Sequence, residues 1–183
     1  DEPAGVERFE VNPMDNQLVY ISNYQLILLD PSSSKRTILV SGDENRSPHD
    51  PAFSPDGVNL AYGLGGIHLY DLTNGQDQLI LPDNDTMDPA ERRIYSPHLW
   101  SPDGSKLSIF IGYWEWFGSG IVSITDGSLL SEFERGDSEA WGSDSQSYYT
   151  ARGNGPGMIH SSAPGLFRIA ATPNAILQTI LPE

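Results

Sequence analysis

The sequence predicts an all-β protein made of repeated units of four antiparallel strands. The first observation is a repeated turn, because Phe-Ser-Pro-Asp-Gly at 53–57 returns as Trp-Ser-Pro-Asp-Gly at 100–104. The second is the character of the intervening segments, which are short, rich in β-branched and aromatic residues, and bounded by Gly, Pro, Asn and Asp. No segment has a sustained 3.6-residue apolar period, so we expect little helix.

Two weaker copies of the same turn flank these two. The segment 11–20 aligns Val11 with Phe53, and the segment 141–150 aligns Trp141 with Trp100. The four anchor positions are separated by 42, 47 and 41 residues and are Pro13, Pro55, Pro102 and Ser143. A period of this length indicates a repeat architecture of four units.

Each unit has the same order of elements. A first strand ends at the aromatic residue or Val, and the turn follows: Pro presets a negative φ, Asp bonds back to the backbone, and Gly takes the positive φ. Three more strands come next. The second strands are predicted at 18–21, 60–62, 107–111 and 148–150, the third at 26–29, 67–72, 120–124 and 166–169, and the fourth at 37–40, 78–81, 129–133 and 176–181.

Four-stranded antiparallel units that repeat at this spacing are typical of β-propeller blades. We therefore predict a single β-propeller domain over 1–183, with about four blades at 1–47, 48–94, 95–137 and 138–183. The aromatic residues before the turns, Phe53, Trp100 and Trp141, are expected to pack between neighbouring blades.

At these turns the sequence resembles the TolB-like family of β-propellers, whose blades carry a Trp-Ser-Pro-Asp-Gly turn followed by an apolar strand. Residues 53–57 and 100–104 match this pattern, whereas Met14 and Asp15 replace Asp-Gly in the first copy and Ser143 replaces Pro in the fourth. Such repeats occur in periplasmic interaction proteins, in the propellers of prolyl-oligopeptidase-type peptidases and in secreted proteins. The resemblance implies a periplasmic or extracellular location.

Propellers of this family usually have six or more blades, whereas this chain encodes four. Three explanations stay open: a complete four-bladed ring, part of a larger ring, or a ring completed by a second copy. We favour a larger propeller whose other blades come from a longer chain or from a second copy. Such self-association would cover the apolar faces of the end blades.

Composition narrows the class of partner. Twenty-five acidic and ten basic residues give a net charge of −15, which would repel nucleic acid and anionic lipid. No apolar stretch approaches the ~20 residues that cross a bilayer, so we expect no membrane insertion. The chain has no cysteine, which excludes disulfides and thiolate metal sites.

Binding residues are predicted on one face of the propeller. In an antiparallel blade, the connections between the second and third strands and between successive blades lie at the same end. Here these connections are long and irregular at 41–51, 82–97, 112–119 and 151–164, whereas those at the other end are tight. Because function concentrates on loops that a rigid scaffold displays, we place the ligand at this end.

The strongest candidate is the segment 112–120, which holds four aromatic residues around one Glu. If the hairpin is extended, Trp114 and Trp116 point one way and Tyr113, Glu115 and Phe117 the other. Packing between blades would explain these residues, and so would an aromatic platform for a sugar ring, a peptide or a partner protein.

His98 and Glu139 form a weaker ligand-binding candidate, because each lies two residues before the Trp that ends its first strand. Both are expected near the mouth of the central channel. His49 and Asp50 lie close to the equivalent position in the second blade. Polar side chains normally line such channels, so a purely structural role is the simpler interpretation.

A weak calcium candidate lies at 82–93, where Asp83, Asp85 and Asp88 supply hard oxygen ligands. The segment lacks the Gly of an EF-hand loop, and Ile94 stands where its bidentate Glu would be. A solvated acidic loop is the better interpretation, and we predict no cofactor. The Gly-rich segment 151–165, which contains His160, lacks the Lys-Ser/Thr of a phosphate-binding loop.

These features favour a non-catalytic binding or scaffold propeller that holds a protein or glycan ligand. The sequence contains no G-x-S-x-G elbow and no H-E-x-x-H pair, which disfavours an enzyme without excluding one. The alternatives are the propeller portion of a hydrolase, either a prolyl-oligopeptidase-type peptidase or a glycan-active enzyme, and a structural subunit of a larger assembly.

Overall fold

The computed structural model describes residues 5–153 and 164–182. Within these ranges the chain forms sixteen β-strands and no helix, and it therefore has no helical segment able to cross a membrane. The strands form four antiparallel sheets of four strands each. The predicted all-β architecture of four-stranded antiparallel units is confirmed.

The strands are numbered in chain order. Sheet 1 contains β1 (Arg8–Val11), β2 (Leu18–Ser22), β3 (Gln25–Asp30) and β4 (Lys35–Ser41). Sheet 2 contains β5 (His49–Phe53), β6 (Asn59–Gly63), β7 (Gly66–Asp71) and β8 (Asp77–Pro82). Sheet 3 contains β9 (Ile94–Trp100), β10 (Lys106–Gly112), β11 (Phe117–Ser123) and β12 (Leu129–Glu134). Sheet 4 contains β13 (Ser138–Trp141), β14 (Ser147–Arg152), β15 (Gly165–Ala170) and β16 (Gln178–Pro182).

Neighbouring strands within every sheet are also neighbours in the sequence. Each sheet is therefore a simple meander, and its first strand ends at the predicted residue: Val11, Phe53, Trp100 or Trp141. The ends of the other strands differ from the predicted ends by up to three residues. Most strands are longer than predicted, because ladder hydrogen bonds continue into residues that sequence patterns assign to turns, whereas Leu72, Ile124 and Ile176 fall outside the strands predicted to include them.

The two full Ser-Pro-Asp-Gly turns are held by their own side chains. Ser101 Oγ donates to Asp103 Oδ1 at 2.7 Å, and the backbone N–H of Gly104, at φ +70°, donates to the Ser101 carbonyl at 2.9 Å. Partial burial raises the pKa of Asp103, but hydrogen bonds from Ser101 and Ser105, with the charge of Lys106, outweigh it and lower that pKa to about 2. The turn is thus a local hydrogen-bonding unit built around an ionised aspartate.

The two incomplete copies keep the same chemistry with other residues. In sheet 1, Asp15 accepts the backbone N–H of Gln17 at 3.0 Å, and the positive φ of 61° falls on Asn16. In sheet 4, Asp144 accepts the backbone N–H of Gln146 at 2.9 Å, and Ser145 takes the positive φ of 54°. The aspartate and the left-handed residue therefore define this turn more than Pro and Gly do.

The chain divides into two compact units, and the first comprises residues 1–83 and 95–98. Its core cluster includes Val19 and Ile21 from sheet 1 together with Phe53 and Tyr62 from sheet 2. Phe53 thus packs between two successive sheets, as predicted. By contrast, Val11, the equivalent residue of sheet 1, is exposed.

The second unit comprises residues 84–94 and 99–183, and its core is centred on Tyr148. Tyr148 is fully buried and packs with Ile121 and Phe133 of sheet 3. The half-buried Trp141 meets Tyr148 edge-on, with ring centroids 5.0 Å apart, and donates its indole N–H to the Leu99 carbonyl at 2.9 Å. Trp141 therefore joins the first strands of sheets 3 and 4.

The end of each sheet that was predicted to carry long loops is more varied than expected. In sheets 1 and 2 the second and third strands are joined by two-residue turns, at 23–24 and 64–65, whereas sheet 3 has a four-residue connection at 113–116. The segment predicted as a long loop at 151–164, with His160, lies mostly outside the described residues. The longest described connection at this end is residues 83–93.

Candidate functional site

The connection between β8 and β9 closes on itself through its own backbone. Asn84 and Arg93 exchange two backbone hydrogen bonds, of 2.8 and 3.0 Å, and the Asn84 side chain donates to the Glu91 carbonyl at 3.0 Å. At the tip, Asp88 accepts the backbone N–H of Ala90 at 3.0 Å. Because the loop is closed in this way, the consecutive residues Arg92 and Arg93 emerge at its base.

The segment 113–116 is a turn. The backbone N–H of Tyr113 donates to the Trp116 carbonyl at 3.0 Å, and the two rings stack with centroids 3.6 Å apart and planes 7° apart. An extended hairpin would have placed these two side chains on opposite sides, so the segment is not extended and the alternation expected for an extended hairpin does not apply. Gly118 permits the stack, because a Cβ there would lie 2.9 Å from the Tyr113 ring.

Tyr113 is the buried support of this turn, with only 7% of its surface exposed. Its hydroxyl donates to Glu132 Oε2 at 3.0 Å, and the Arg93 guanidinium lies 4.3 Å from its ring centroid. Arg93 is in turn 3.5 Å from Glu132. Arg93, Tyr113 and Trp116 thus form a three-layer stack that Glu132 holds in place.

Arg92 supports the neighbouring aromatic residue. Its Nη1 donates to the Tyr113 carbonyl at 3.2 Å, and its Nε lies 3.2 Å from Asp85 Oδ1. The guanidinium carbon is 6.0 Å from the Trp114 ring centroid, within the range of a cation–π contact. Both arginines at the base of the 83–93 loop are therefore paired with a carboxylate and packed on an aromatic ring.

Three aromatic side chains within the four residues 114–117 face solvent. Trp114 is 46%, Trp116 52% and Phe117 65% exposed, and we name these three residues the aromatic platform. Single exposed apolar residues are common on proteins, but three large exposed aromatics so close in the chain are typical of an interaction site. Glu115 lies within this group and is also exposed.

The three aspartates predicted as calcium ligands have separate partners. Asp83 accepts the backbone N–H of Tyr95 at 2.8 Å, Asp85 pairs with Arg92, and Asp88 caps the turn at the loop tip. Among the described residues, no three His, Cys, Asp or Glu side chains are grouped so that they could hold a metal ion. Both interpretations of this loop, the preferred solvated acidic loop and the weak calcium candidate, stay predictions.

The structure places Glu139 inside a hydrogen-bonded network. Its carboxylate accepts from Ser119 Oγ at 2.7 Å and from the Tyr148 hydroxyl at 3.1 Å. Burial, followed by the charge of Glu139, raises the pKa of Tyr148, which stays protonated and donates. His98 is half-buried on β9 and falls in the other compact unit. The two predicted residues occupy equivalent positions, two residues before the Trp that ends the first strand of their sheets.

A polar cluster in the first unit includes two residues that the sequence did not single out, Arg8 and Ser96. Arg8 forms an ion pair with Asp50, whose φ of +48° coincides with a break in the β5–β6 ladder. His49 Nδ1 lies 3.2 Å from Asp50 Oδ2 and 3.5 Å from Ser96 Oγ. Burial, followed by the charge of Arg8, lowers the pKa of His49.

This cluster does not have the geometry of a catalytic triad. A serine–histidine–aspartate relay requires the serine and the aspartate to face different ring nitrogens, whereas here both face Nδ1. Gly63 also lies against the imidazole and leaves no room for a Cβ. The cluster therefore joins β1, β5, β6 and β9 in the manner of a structural polar network.

Four consecutive four-stranded meander sheets are the blade pattern of a β-propeller fold, and comparison with solved structures supports this class. The chain is similar to TolB from Acinetobacter baumannii, with a TM-score of 0.58 and 18% identity over 98% of this chain and 44% of that one. It is also similar to the β-propeller domain of Cps50 (Swd1) from Myceliophteria thermophila, with a TM-score of 0.58 and 14% identity over 98% and 61% of the two chains. The resemblance to TolB-like propellers is thus confirmed at the level of the fold.

A third similar structure is the dihydro-heme d1 dehydrogenase NirN, with a TM-score of 0.61 and 17% identity over 98% of this chain and 38% of that one. The chain therefore spans less than two thirds of the length of each of these three proteins. One of them is named as a dehydrogenase, so the shared fold does not decide between an enzyme and a binding protein. No family model and no curated protein matches the sequence.

Proposed function

We propose that this protein is a non-catalytic binding module that holds a partner protein on its aromatic platform. The observation that carries the proposal is the combination of three exposed aromatic side chains with a buried support beneath them. Trp and Tyr are enriched among the residues that dominate protein–protein binding, because they bury a large rigid area at a low cost in side-chain entropy.

The platform is ordered before a partner arrives. Tyr113 packs under Trp116, and both Arg93 and Glu132 hold Tyr113. A surface that is already in its binding conformation loses less conformational entropy on association, which favours affinity. A loop whose aromatics served only to fill the core would instead be buried.

The composition fits a protein that works in an aqueous compartment among other macromolecules. The net charge of −15 favours solubility and disfavours nucleic acid and anionic membranes as partners. The turns that resemble those of TolB-like propellers support a periplasmic or extracellular location. Export to such a compartment is part of the proposal.

The proposal is tested by capturing a partner protein on the immobilised chain and then titrating that protein against variants of the platform. The whole chain is immobilised as wild type, as the double variant Trp114→Ala/Trp116→Ala, and as Leu79→Ala, a control that removes an exposed apolar side chain from β8. We expect a protein that is retained by the wild type and the control but not by the double variant. After purification, that protein should bind each single Trp variant at least ~5-fold more weakly than wild type.

Two results would oppose the proposal. A partner whose affinity is the same for wild type and both Trp variants would place binding elsewhere on the chain. Saturable binding of a purified glycan on the platform, with no protein retained, would replace the partner protein by a glycan.

A further inference from the structure

We propose that the aromatic platform recognises a basic segment of its partner, with a Lys or Arg side chain lying on the open face of Trp116 beside Glu115. This inference rests on the proposed function, because it specifies the ligand of the same platform. Three features of the site carry it: the open indole face, the charges around it, and two similar arrangements within the protein itself.

The first feature is the open face of Trp116. One face of its indole is covered by Tyr113, and about half of the side chain remains exposed. The face of an aromatic ring is electron-rich and attracts cations, and the indole of Trp does so most strongly. A flat, rigid ring with one free face is therefore well suited to a guanidinium or an ammonium group.

The second feature is the balance of charge. The two arginines of the site are already paired, Arg92 with Asp85 and Arg93 with Glu132. Glu115 is exposed and, among the described residues, it forms no ion pair. With a whole-chain charge of −15, the field around the platform attracts a cationic segment and repels an anionic one.

The third feature is that the protein already contains this recognition arrangement twice. Arg93 lies 4.3 Å from the Tyr113 ring and pairs with Glu132, and Arg92 lies 6.0 Å from the Trp114 ring and pairs with Asp85. Each arrangement consists of a cation, an aromatic face and a carboxylate. Trp116 and Glu115 supply the ring and the carboxylate of a third, in which the partner would provide the cation.

The experiment uses the whole chain labelled with ¹⁵N at its four tryptophans, so that each indole N–H is followed by nuclear magnetic resonance. The probes are hexalysine, hexa-(Nε-acetyl)lysine, which has the same backbone without charge, and cellohexaose. We expect hexalysine to shift the Trp116 resonance in a saturable way, and the other two probes to leave it unchanged. Binding should weaken as salt rises from ~50 to ~300 mM, because exposed charges are screened.

Two variants of equal charge separate specific recognition from general attraction. Glu115→Gln removes the carboxylate of the platform, and Glu44→Gln removes an exposed carboxylate from the connection between β4 and β5. We expect Glu115→Gln to weaken hexalysine binding at least ~3-fold more than Glu44→Gln does, and Trp116→Ala, followed through the Trp114 resonance, to weaken it at least ~5-fold.

The inference is overturned if both Glu variants weaken hexalysine binding equally, if acetylated hexalysine binds as well as hexalysine, or if only cellohexaose shifts Trp116. Its failure is distinct from that of the proposed function. If a captured protein requires both Trp residues for binding but hexalysine does not shift Trp116, the platform remains a binding site. Only the inference that it recognises a basic segment is then wrong.

Discussion

Two groups of aromatic residues in the second compact unit have opposite environments. Tyr148 and Trp141 lie in the core, where Tyr148 is fully buried and both side chains make hydrogen bonds. Trp114 and Trp116 lie on the platform, where about half of each side chain faces solvent. The same class of residue thus stabilises the fold in one place and remains available for binding in the other.

The difference comes from the number of sides on which each ring has neighbours. Tyr148 is surrounded by Ile121, Phe133 and Trp141, so that its removal would leave a cavity. Trp116 is supported on one face, by Tyr113. A ring that is supported on one face is held in position while its other face stays accessible to a partner. A binding surface requires both properties.

The largest loss of stability is expected when the core residue Tyr148 is changed. Tyr148→Ala should lower the free energy of unfolding by about 3–5 kcal/mol, because it removes a large buried ring and one of the hydroxyl groups that donate to Glu139. Urea denaturation measures the loss. Tyr149→Ala, which changes a half-buried neighbour on the opposite face of the same strand, is the control and should cost less. Equal losses of unfolding free energy in the two variants would show that Tyr148 is no more important to the core than its half-buried neighbour.

A smaller effect is expected where the core meets the platform. Tyr113→Phe keeps the ring that supports Trp116 and removes the hydrogen bond to Glu132, so the free energy of unfolding should fall by about 1 kcal/mol. Denaturant titration of this variant is compared with Tyr24→Phe, which alters an exposed turn residue. The intact stack should leave partner binding near the wild-type level, and a large loss of binding would show that the hydroxyl, rather than the ring, supports the platform.

Acid should lower the free energy of unfolding, because it protonates the aspartates that hold the turns. The folded-state pKa of Asp103 is lowered from 3.8 to about 2. Its contribution to stability is therefore complete above the unfolded-state pKa, near pH 4, and is lost as the pH falls toward 2. Unfolding followed between ~pH 5 and ~pH 2 should show a smaller acid-dependent loss in Asp103→Asn than in wild type. Identical pH profiles would mean that the carboxylate does not stabilise the turn.

The smallest effect on stability is expected on the platform itself. Trp114→Ala should change the free energy of unfolding by less than about 0.5 kcal/mol, because the residue is half exposed and its contact with Arg92 is long. Thermal and urea unfolding both measure this change. A loss comparable to that of Tyr148→Ala would identify Trp114 as a packing residue and remove it from the binding surface.

Much of the fold could be predicted because its signals are local. In each full turn, the bonds among Ser101, Asp103 and Gly104 span only a few residues, so a short sequence pattern specifies the geometry. The same holds for the strand that follows each turn. The incomplete copies were less predictable, because Asp15 and Asn16 carry out the roles that alignment had assigned one residue earlier.

The candidate site was predictable only in part. Its aromatic residues all lie within 113–117 and stand out in the sequence, but the direction of each ring depended on whether 113–116 formed a turn or an extended hairpin. Arg93 and Glu132, which hold Tyr113, come from other parts of the chain. Nothing in the spacing of these residues indicates that they meet.

The sequence by itself determined the four repeated sheets, the turns that join their first two strands, the acidic composition and the candidate aromatic segment. These properties depend on composition and on interactions between residues close in the chain. Only the tertiary structure decided that Tyr113 is buried under Trp116, that Arg92 and Arg93 are already paired, and that Glu115 has no ion pair among residues 5–153 and 164–182. The physical reason is that burial and pairing depend on which strands and loops are neighbours in space, which no local pattern specifies.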